Sequence, residues 1–262
     1  MLPLADPNFP DSIESLIVAL RTGFSRHGVS VKDIRAEGEW PRLSELTIDL
    51  SGAQLSRATQ FPHPGAEGKT GITIDRLSIA ATPLYFEMTP LRVEIRVLQA
   101  GFAFAHATVG DPVLQLVRAE NGSIVIEAQR ADLEMTLLKL ATTALAKQGA
   151  DVKAAELELT ERSPRSLGIR AEVTAKAFLM TARVAVSGLL DVDDALNLRV
   201  RDLATSGDGM IANLASAFLR PRFLEIEKQV IPLAAFPIAG VKLHDVRIGG
   251  GNTLRLEAQL GS

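Results

Sequence analysis

Cysteine is absent from the 262-residue chain, which removes disulfides, thiolate metal sites and cysteine nucleophiles together. Aromatic residues make up only 5% of it, with Trp40 and Tyr85 single examples of their kinds. The apolar mass is therefore aliphatic. No block of Lys and Arg occurs and the formal net charge is −3. Phosphate backbones need a clustered basic surface, so no nucleic-acid partner is expected. Long apolar runs are missing too. The most apolar stretch, 230–241, is short and interrupted by Pro232 and Pro237, too little to span a bilayer. The opening MLPLADPNFP lacks the basic and continuous apolar regions of an export signal. This implies a cytoplasmic chain, or a periplasmic one if a signal has been removed.

Catalytic motifs are equally absent. There is no H-E-x-x-H, G-x-S-x-G or Walker sequence, and no G-x-G-x-x-G after a strand. His27, His63, His106 and His244 stand apart from one another. Asp191, Asp193 and Asp194 lack the closing glutamate of a calcium loop, so a solvated hairpin tip is expected there. No metal, cofactor or enzymatic activity is expected.

What is present is a globular composition, 47% hydrophobic and 23% charged, able to bury a substantial core. A first helix is predicted over 12–27, capped by Asp11 with Glu14 at capping-box spacing. Its buried face is Ile13, Leu16, Ile17, Leu20 and Phe24, and Gly28 stops it. Strands follow at 31–37, 46–55 and 72–80, with a loop of turn residues at 60–70 whose role as a lid is left open. Leu91, Val93, Ile95 and Val97 alternate with Arg92, Glu94 and Arg96, the pattern of a strand with one wet face. After 101–109, strands at 113–118 and 123–129 are expected to form a hairpin about Asn121-Gly122. A second helix covers 132–148, closed by Gly149, with Leu133, Leu137, Leu138, Leu140, Ala141 and Leu145 along one stripe. Strands resume at 152–160, 168–174, 183–190 and 195–203.

The organising stretch is 206–240. Gly207 and Gly209 break the preceding strand and Ser206 or Asp208 caps a helix. Met210, Ile211, Leu214, Ala215, Phe218 and Leu219 form its apolar face. Pro221 should kink or restart it, with Phe223, Ile226, Val230 and Ile231 carrying the face onward. Two closing strands, 241–248 and 253–260, meet at Gly-Gly-Gly-Asn.

Sliding the chain on itself by 121 residues aligns the two helices without a gap. It sets Gly28 on Gly149, Lys32 on Lys153, Glu37 on Glu158 and Ile48 on Ile169. The strand 124–129 also resembles 254–259. One domain over 1–262 is expected, built from pseudo-repeat halves of about 1–130 and 131–262. Its aliphatic excess fits either a filled core or a hollow one lined for acyl chains. Each methylene removed from water contributes about 0.8 kcal/mol.

The segment 184–261 (VSGLLDVDDALNLRVRDL, a Gly-rich turn and helix, IPLAAFPIAGVKLHDVRI, then NTLRLEAQLG) resembles the LmeA-like bacterial phospholipid-binding family of the tubular lipid-binding (TULIP) superfamily. LSELTIDLSGAQLSR is similar to the family's early strands. The resemblance implies an α+β fold, a long, highly curved antiparallel sheet wrapped around amphipathic helices, with an elongated apolar cavity that binds lipid. It carries over no catalytic residue. The expected lining is Leu214, Phe218, Leu219, Phe223 and Ile226, then Leu16, Leu20, Leu137 and Leu140, with Phe102 and Phe104. The partner is lipid or another long-chain apolar ligand, with transient contact to a membrane surface. The alternative is a scaffold subunit of the same fold with a closed core, acting through protein contacts. Oligomeric state is left open.

Overall fold

The computed structural model describes residues 1–5, 9–56, 58–59, 68–108, 110–146, 150–177, 180–207, 209–233 and 241–261, with backbone alone for 69–70, 150, 177, 180 and 209–218. The α+β class holds: three helices accompany two largely antiparallel sheets. The chain divides into two compact units. One comprises Met1–Glu127, Ala235–Asp245 and Glu257–Ser262, the other Ala128–Ala234 and Val246–Leu256. Among the described residues no helix is long and apolar enough to cross a membrane.

The first unit begins with β1 (Leu2–Pro3) and α1 (Ile13–Arg26). Strands β2 (Asp33–Glu39), β3 (Arg42–Asp49), β4 (Gln54–Leu55), β5 (Lys69–Phe86), β6 (Thr89–His106), β7 (Pro112–Arg118) and β8 (Asn121–Gln129) follow. Helix α1 buries Leu16, Ala19, Leu20, Gly23 and Phe24, the face its periodicity predicts. Its cap differs from expectation. Ser12 is the N-cap, accepting from the Ser15 amide at 3.2 Å while the Ser15 hydroxyl accepts from the Ser12 amide at 3.0 Å. A capping box joins N-cap to N3, so with Ser12 in place Glu14 falls one residue short. At the far end Gly28 adopts φ +73° and the Val29 amide donates to the Phe24 carbonyl.

Strand β6 is the spine of the ten-stranded sheet. It pairs β5 along one side, and on the other it takes β7 at 101–106 and β8 at 92–98. This corrects the predicted hairpin. Asn121 and Gly122 do not turn the chain; they lie in β8 opposite Leu98 and Val97. β7 and β8 both run antiparallel to β6, so they follow one another along it. An 18-residue spine offers edge enough for both, and a glycine at 122 serves close packing. A Cβ there would stand 2.4 Å from Leu260 Cδ1. Pairing is parallel between β3 and β5 and between β4 and β5, so this sheet is mixed. Residues 69–70, expected in the loop, belong to β5; 60–67 lie outside the described residues. The Leu91 to Val97 alternation holds, with Val97 buried and Leu91, Val93 and Ile95 packed on the core.

The second unit starts with α2 (Arg130–Ala146), then β9 (Ala150–Ser163), β10 (Ser166–Ala177), β11 (Met180–Val192), β12 (Asn197–Gly207), α3 (Gly209–Lys228) and β13 (Val230–Pro232). Its five-stranded sheet is antiparallel in the order β13-β12-β11-β10-β9. The closing strands β14 (Lys242–Gly249) and β15 (Thr253–Gly261) belong to the ten-stranded sheet, where β15 lies between β14 and β8.

Two expectations for 206–240 change. Strand β12 persists through Gly207, so the glycines do not end it before Ser206. Helix α3 runs continuously through Pro221. Arg220, Pro221 and Arg222 are exposed, so the carbonyl that proline strips of its partner can turn to water. The helix stops at Lys228, and Val230 and Ile231 enter β13 opposite Arg199 and Leu198. Pro232 sits there on an edge strand, the sheet position it tolerates. Residues 234–240, including Pro237 and Gly240, lie outside the described residues, as do Gly149 and Asp208.

The 121-residue offset has a structural counterpart in one motif. A helix followed by an antiparallel strand pair occurs as α1-β2-β3 and again as α2-β9-β10. Their registers differ: Glu37 faces Glu45, whereas Glu158 faces Arg170. Beyond the pair the paths diverge, since β3 goes on to a parallel neighbour and β10 to an antiparallel one.

Candidate functional site

The residues predicted to line a cavity occupy different settings. Leu16, Leu20 and Phe102 are buried in the first unit's core. Phe104 packs against that core, its ring stacked on Phe9 at 5.0 Å and near Trp40 at 6.4 Å. In the second unit Leu137 is half-buried on α2 while Leu140 is 56% exposed. Leu219 and Phe223 are half-buried on α3, and Ile226 is exposed. The side chains of Leu214 and Phe218 lie outside the described set.

A surface that the prediction did not single out is the more coherent one. Pairing in the second sheet brings Leu157, Ala171 and Val186 into one row, Leu159 and Ile169 into another, and Ala155, Val173 and Val184 into a third. Leu167, Leu190 and Val200 make a fourth. Side chains alternate across a strand, so all of these share one apolar face, to which β12 adds the polar Thr205 opposite Val186. The signal was in the sequence: 152–160, 168–174 and 183–190 each alternate with period two. Reading each strand alone did not show that their apolar phases coincide.

A bulge keeps β12 in phase. Its register slips opposite Ser187 and Leu189, and Asp202 within the slip takes φ +55°. The extra residue changes parity. Val200 is on the apolar face before it, Leu203 after it. Leu203 then lies over Gly188, where a Cβ would stand 2.7 Å from Leu203 Cδ2. The Leu203 amide, left out of the ladder, donates to Glu227 Oε1 of α3 at 2.7 Å. Helix α2 does the same at the opposite edge, where the Leu157 amide of β9 donates to Glu134 Oε1 at 3.0 Å. Each helix is thus pinned by one carboxylate to a strand, α2 to the edge strand β9 and α3 to β12 beside β13.

The face is buried at both ends, by Leu159 and Leu167 at one and by Val152 and Ala182 in the row of Ala175 at the other, and half-buried between them. Leu167 is fully buried and Leu159 nearly so. Gly250 of the β14–β15 turn sits against them, so close that a Cβ would stand 2.3 Å from Leu167 Cδ1. The Ile248 amide donates to the Pro164 carbonyl at 2.8 Å and fixes that turn. Further along, Leu157, Ile169, Ala171, Val173, Val184 and Val186 are only half-buried. Helix α2 has a half-buried stripe, including Leu133, Leu138, Ala141 and Leu145, and no residue fully buried.

The reverse of the sheet is polar. Two open recesses lie there, about 320 Å³ beside Arg130, Glu134, Glu156, Glu158, Arg170 and Glu172, and about 280 Å³ beside Thr160, Arg162, Ser187 and Asp202. Arg170 pairs with Glu172 at 3.2 Å. The aspartates at the β11–β12 turn are spent separately: Asp191 on Arg201, Asp193 on the Asn197 amide at 2.9 Å and Arg199 at 3.5 Å, Asp194 on Arg165 at 3.2 Å. The Asn197 backbone and side-chain donors hold the Asp193 carboxyl below the usual aspartate range, with Arg199 assisting. Among the described residues no group of three or more histidines and carboxylates is placed to hold a metal ion.

No protein-family model, curated protein or solved structure matches this chain.

Proposed function

We propose that the chain binds lipid acyl chains without catalysing a reaction, using the apolar face of the β9–β12 sheet as its contact surface. The observation that carries the reading is the in-register apolar face left half-exposed between its two flanking helices. Contiguous apolar surface of this kind marks an interaction site. From Leu167 to Ala175 the face runs about 26 Å at about 3.3 Å per residue. A bilayer's apolar core is about 30 Å thick for two opposed chains, so one extended chain fits within the face. Its transfer from water is worth on the order of 10 kcal/mol before ordering costs. The likeness of 184–261 to TULIP proteins supports the same reading, with the wrapped-tube architecture as its structural expectation.

The scaffold alternative draws on the exposed Val230 and Ile231 of β13 and on Leu224 and Ile226 of α3, apolar groups that a protein partner would cover. Organic-solvent extraction of the purified protein, with native mass spectrometry, separates the two. The lipid reading expects a co-purifying long-chain species, lost in Val186→Glu. A wild-type protein that carries nothing apolar and takes up none from added vesicles would overturn it.

A further inference from the structure

The β5–β6 hairpin ends in a turn whose residues are not turn formers. Phe86 pairs with Thr89, so Glu87 and Met88 alone reverse the chain. Two-residue turns favour Gly, Asn or Asp, which accept positive φ at little cost. Neither position holds one, and Glu87 takes φ +54°. Exposure changes abruptly at this tip. Leu84 and Thr89 are buried, whereas Tyr85, Phe86 and Met88 are 37%, 41% and 47% exposed. Among the described residues the first unit's other exposed large apolar groups, Val18, Leu98 and Val117, each stand alone in the sequence, as scattered surface residues commonly do.

The cluster suits a bilayer better than a protein surface. Successive strand side chains point to opposite faces, so Tyr85 and Phe86 present apolar groups on both sides of the hairpin, and a flat partner covers only one. Four residues also offer far less than the roughly 800 Å² per partner of a stable protein pair, while an apolar layer needs no matching surface. The Tyr85 amide donates to the Ala53 carbonyl at 2.9 Å and the Glu87 amide to the Leu55 carbonyl at 2.8 Å. Strand β4 thereby satisfies donors that the hairpin edge would otherwise carry bare out of water. Among the described residues the first cation of β6, Arg92, is engaged by Glu94 at 3.7 Å and Glu127 at 3.4 Å, and the turn itself carries a carboxylate. The tip is therefore built for neutral lipid and not for anionic head groups.

We propose that this tip is a membrane anchor, with Tyr85, Phe86 and Met88 entering the interfacial layer of a zwitterionic bilayer. Glu87 keeps the insertion shallow, at the depth where a tyrosine ring lies in apolar surroundings and its hydroxyl meets polar ones. The anchor belongs to the first unit and does not depend on lipid uptake by the second.

Because the chain has no cysteine, a single label can report on the tip. Met88→Cys and, as a control, Val18→Cys are each coupled to an environment-sensitive fluorophore and mixed with phosphatidylcholine vesicles. The label at 88 should brighten and shift to the blue while the label at 18 stays unchanged. In vesicle flotation of the unlabelled chain, Phe86→Ser with Met88→Ser should lower the partition about tenfold or more, and high salt should leave the wild-type partition unaltered. Both substituted residues are exposed, and circular dichroism verifies the fold of each variant. A wild-type chain that does not float with the vesicles, a label at 88 no more responsive than that at 18, or partition indifferent to the double substitution would each overturn the anchor. So would partition that demands anionic lipid or collapses in salt. Brightening at 88 that follows protein concentration without vesicles would mark a second copy as the occupant and overturn it as well.

Discussion

At the scale of single residues, the second unit depends on where side chains are missing as much as on where they stand. Gly188 leaves room for Leu203 across the bulge. Gly188→Val puts a branched side chain into that contact and should destabilise the protein by about 1–3 kcal/mol, measured as a lower denaturation midpoint. Gly188→Ala should cost less, because Cδ2 is the far end of a flexible side chain. In the first unit, Asp49 Oδ1 accepts from the Ser51 amide at 2.9 Å and the carboxylate pairs with Lys32 at 3.4 Å. Hydrogen bonds from Ser51, then Lys32, hold this carboxyl below its ordinary value of 3.8. A depressed native pKa binds fewer protons than the unfolded chain, so the stabilisation is whole above 3.8 and drains away as pH falls through the lowered value. Asp49→Asn should therefore lose stability at neutral pH and flatten the acid limb of the stability profile, as read by urea titrations across the acid range.

At the scale of elements, the two glutamate contacts set how the helices are held. Glu134→Ala leaves the Leu157 amide on the outer strand without its acceptor and unpins α2. A loss of about 1 kcal/mol is expected, with faster hydrogen exchange at Leu157 than at its ladder neighbours; Glu134→Gln, which keeps a carbonyl oxygen, should recover most of it. Elements were legible in the sequence wherever one period ran uninterrupted between stop residues. Helix α1, the β6 alternation and the closing Gly-Gly-Gly-Asn hairpin are of that kind. Asn121-Gly122 misled because turn propensity is local, while the choice between turning back and continuing along β6 depends on the length of a strand some twenty residues earlier. Pro221 misled for a related reason, since an exposed helix segment can hand a lost hydrogen bond to water. The apolar face read on α1 is buried, and Leu91, Val93, Ile95 and Val97 of β6 pack on the core as their alternation predicts. Which inward faces share a sheet follows from register, and register is a property of pairs that no single strand announces.

At the scale of the whole molecule, the two units differ in how completely they bury their apolar groups. The first has a core in which Leu16, Leu20, Leu43, Leu46, Ile48 and Ile74 are fully enclosed, each worth about 2 kcal/mol in removal from water. The second holds α2 with nothing fully buried and exposes Met135 and Leu140 upon it. Hydrogen exchange followed by mass spectrometry should therefore show stronger protection in β3, β5 and β6 than in α2 and β12. Added palmitate should raise protection selectively over β10 and β11, since a ligand stabilises what it binds. Uniform protection in both units, unaltered by the fatty acid, would count against an open apolar face.

The position of β15 beside β8 has an implication for how the protein is made. Leu260 closes over Gly122, and the strand that carries it lies far downstream of β8 in the chain, so it is synthesised later. Until then β8 presents a bare row of amides and carbonyls through the synthesis of about 125 further residues, a period in which such an edge invites strand exchange with another nascent chain. A product cut short ahead of β14 should accordingly be an aggregating one, however well its earlier strands have paired.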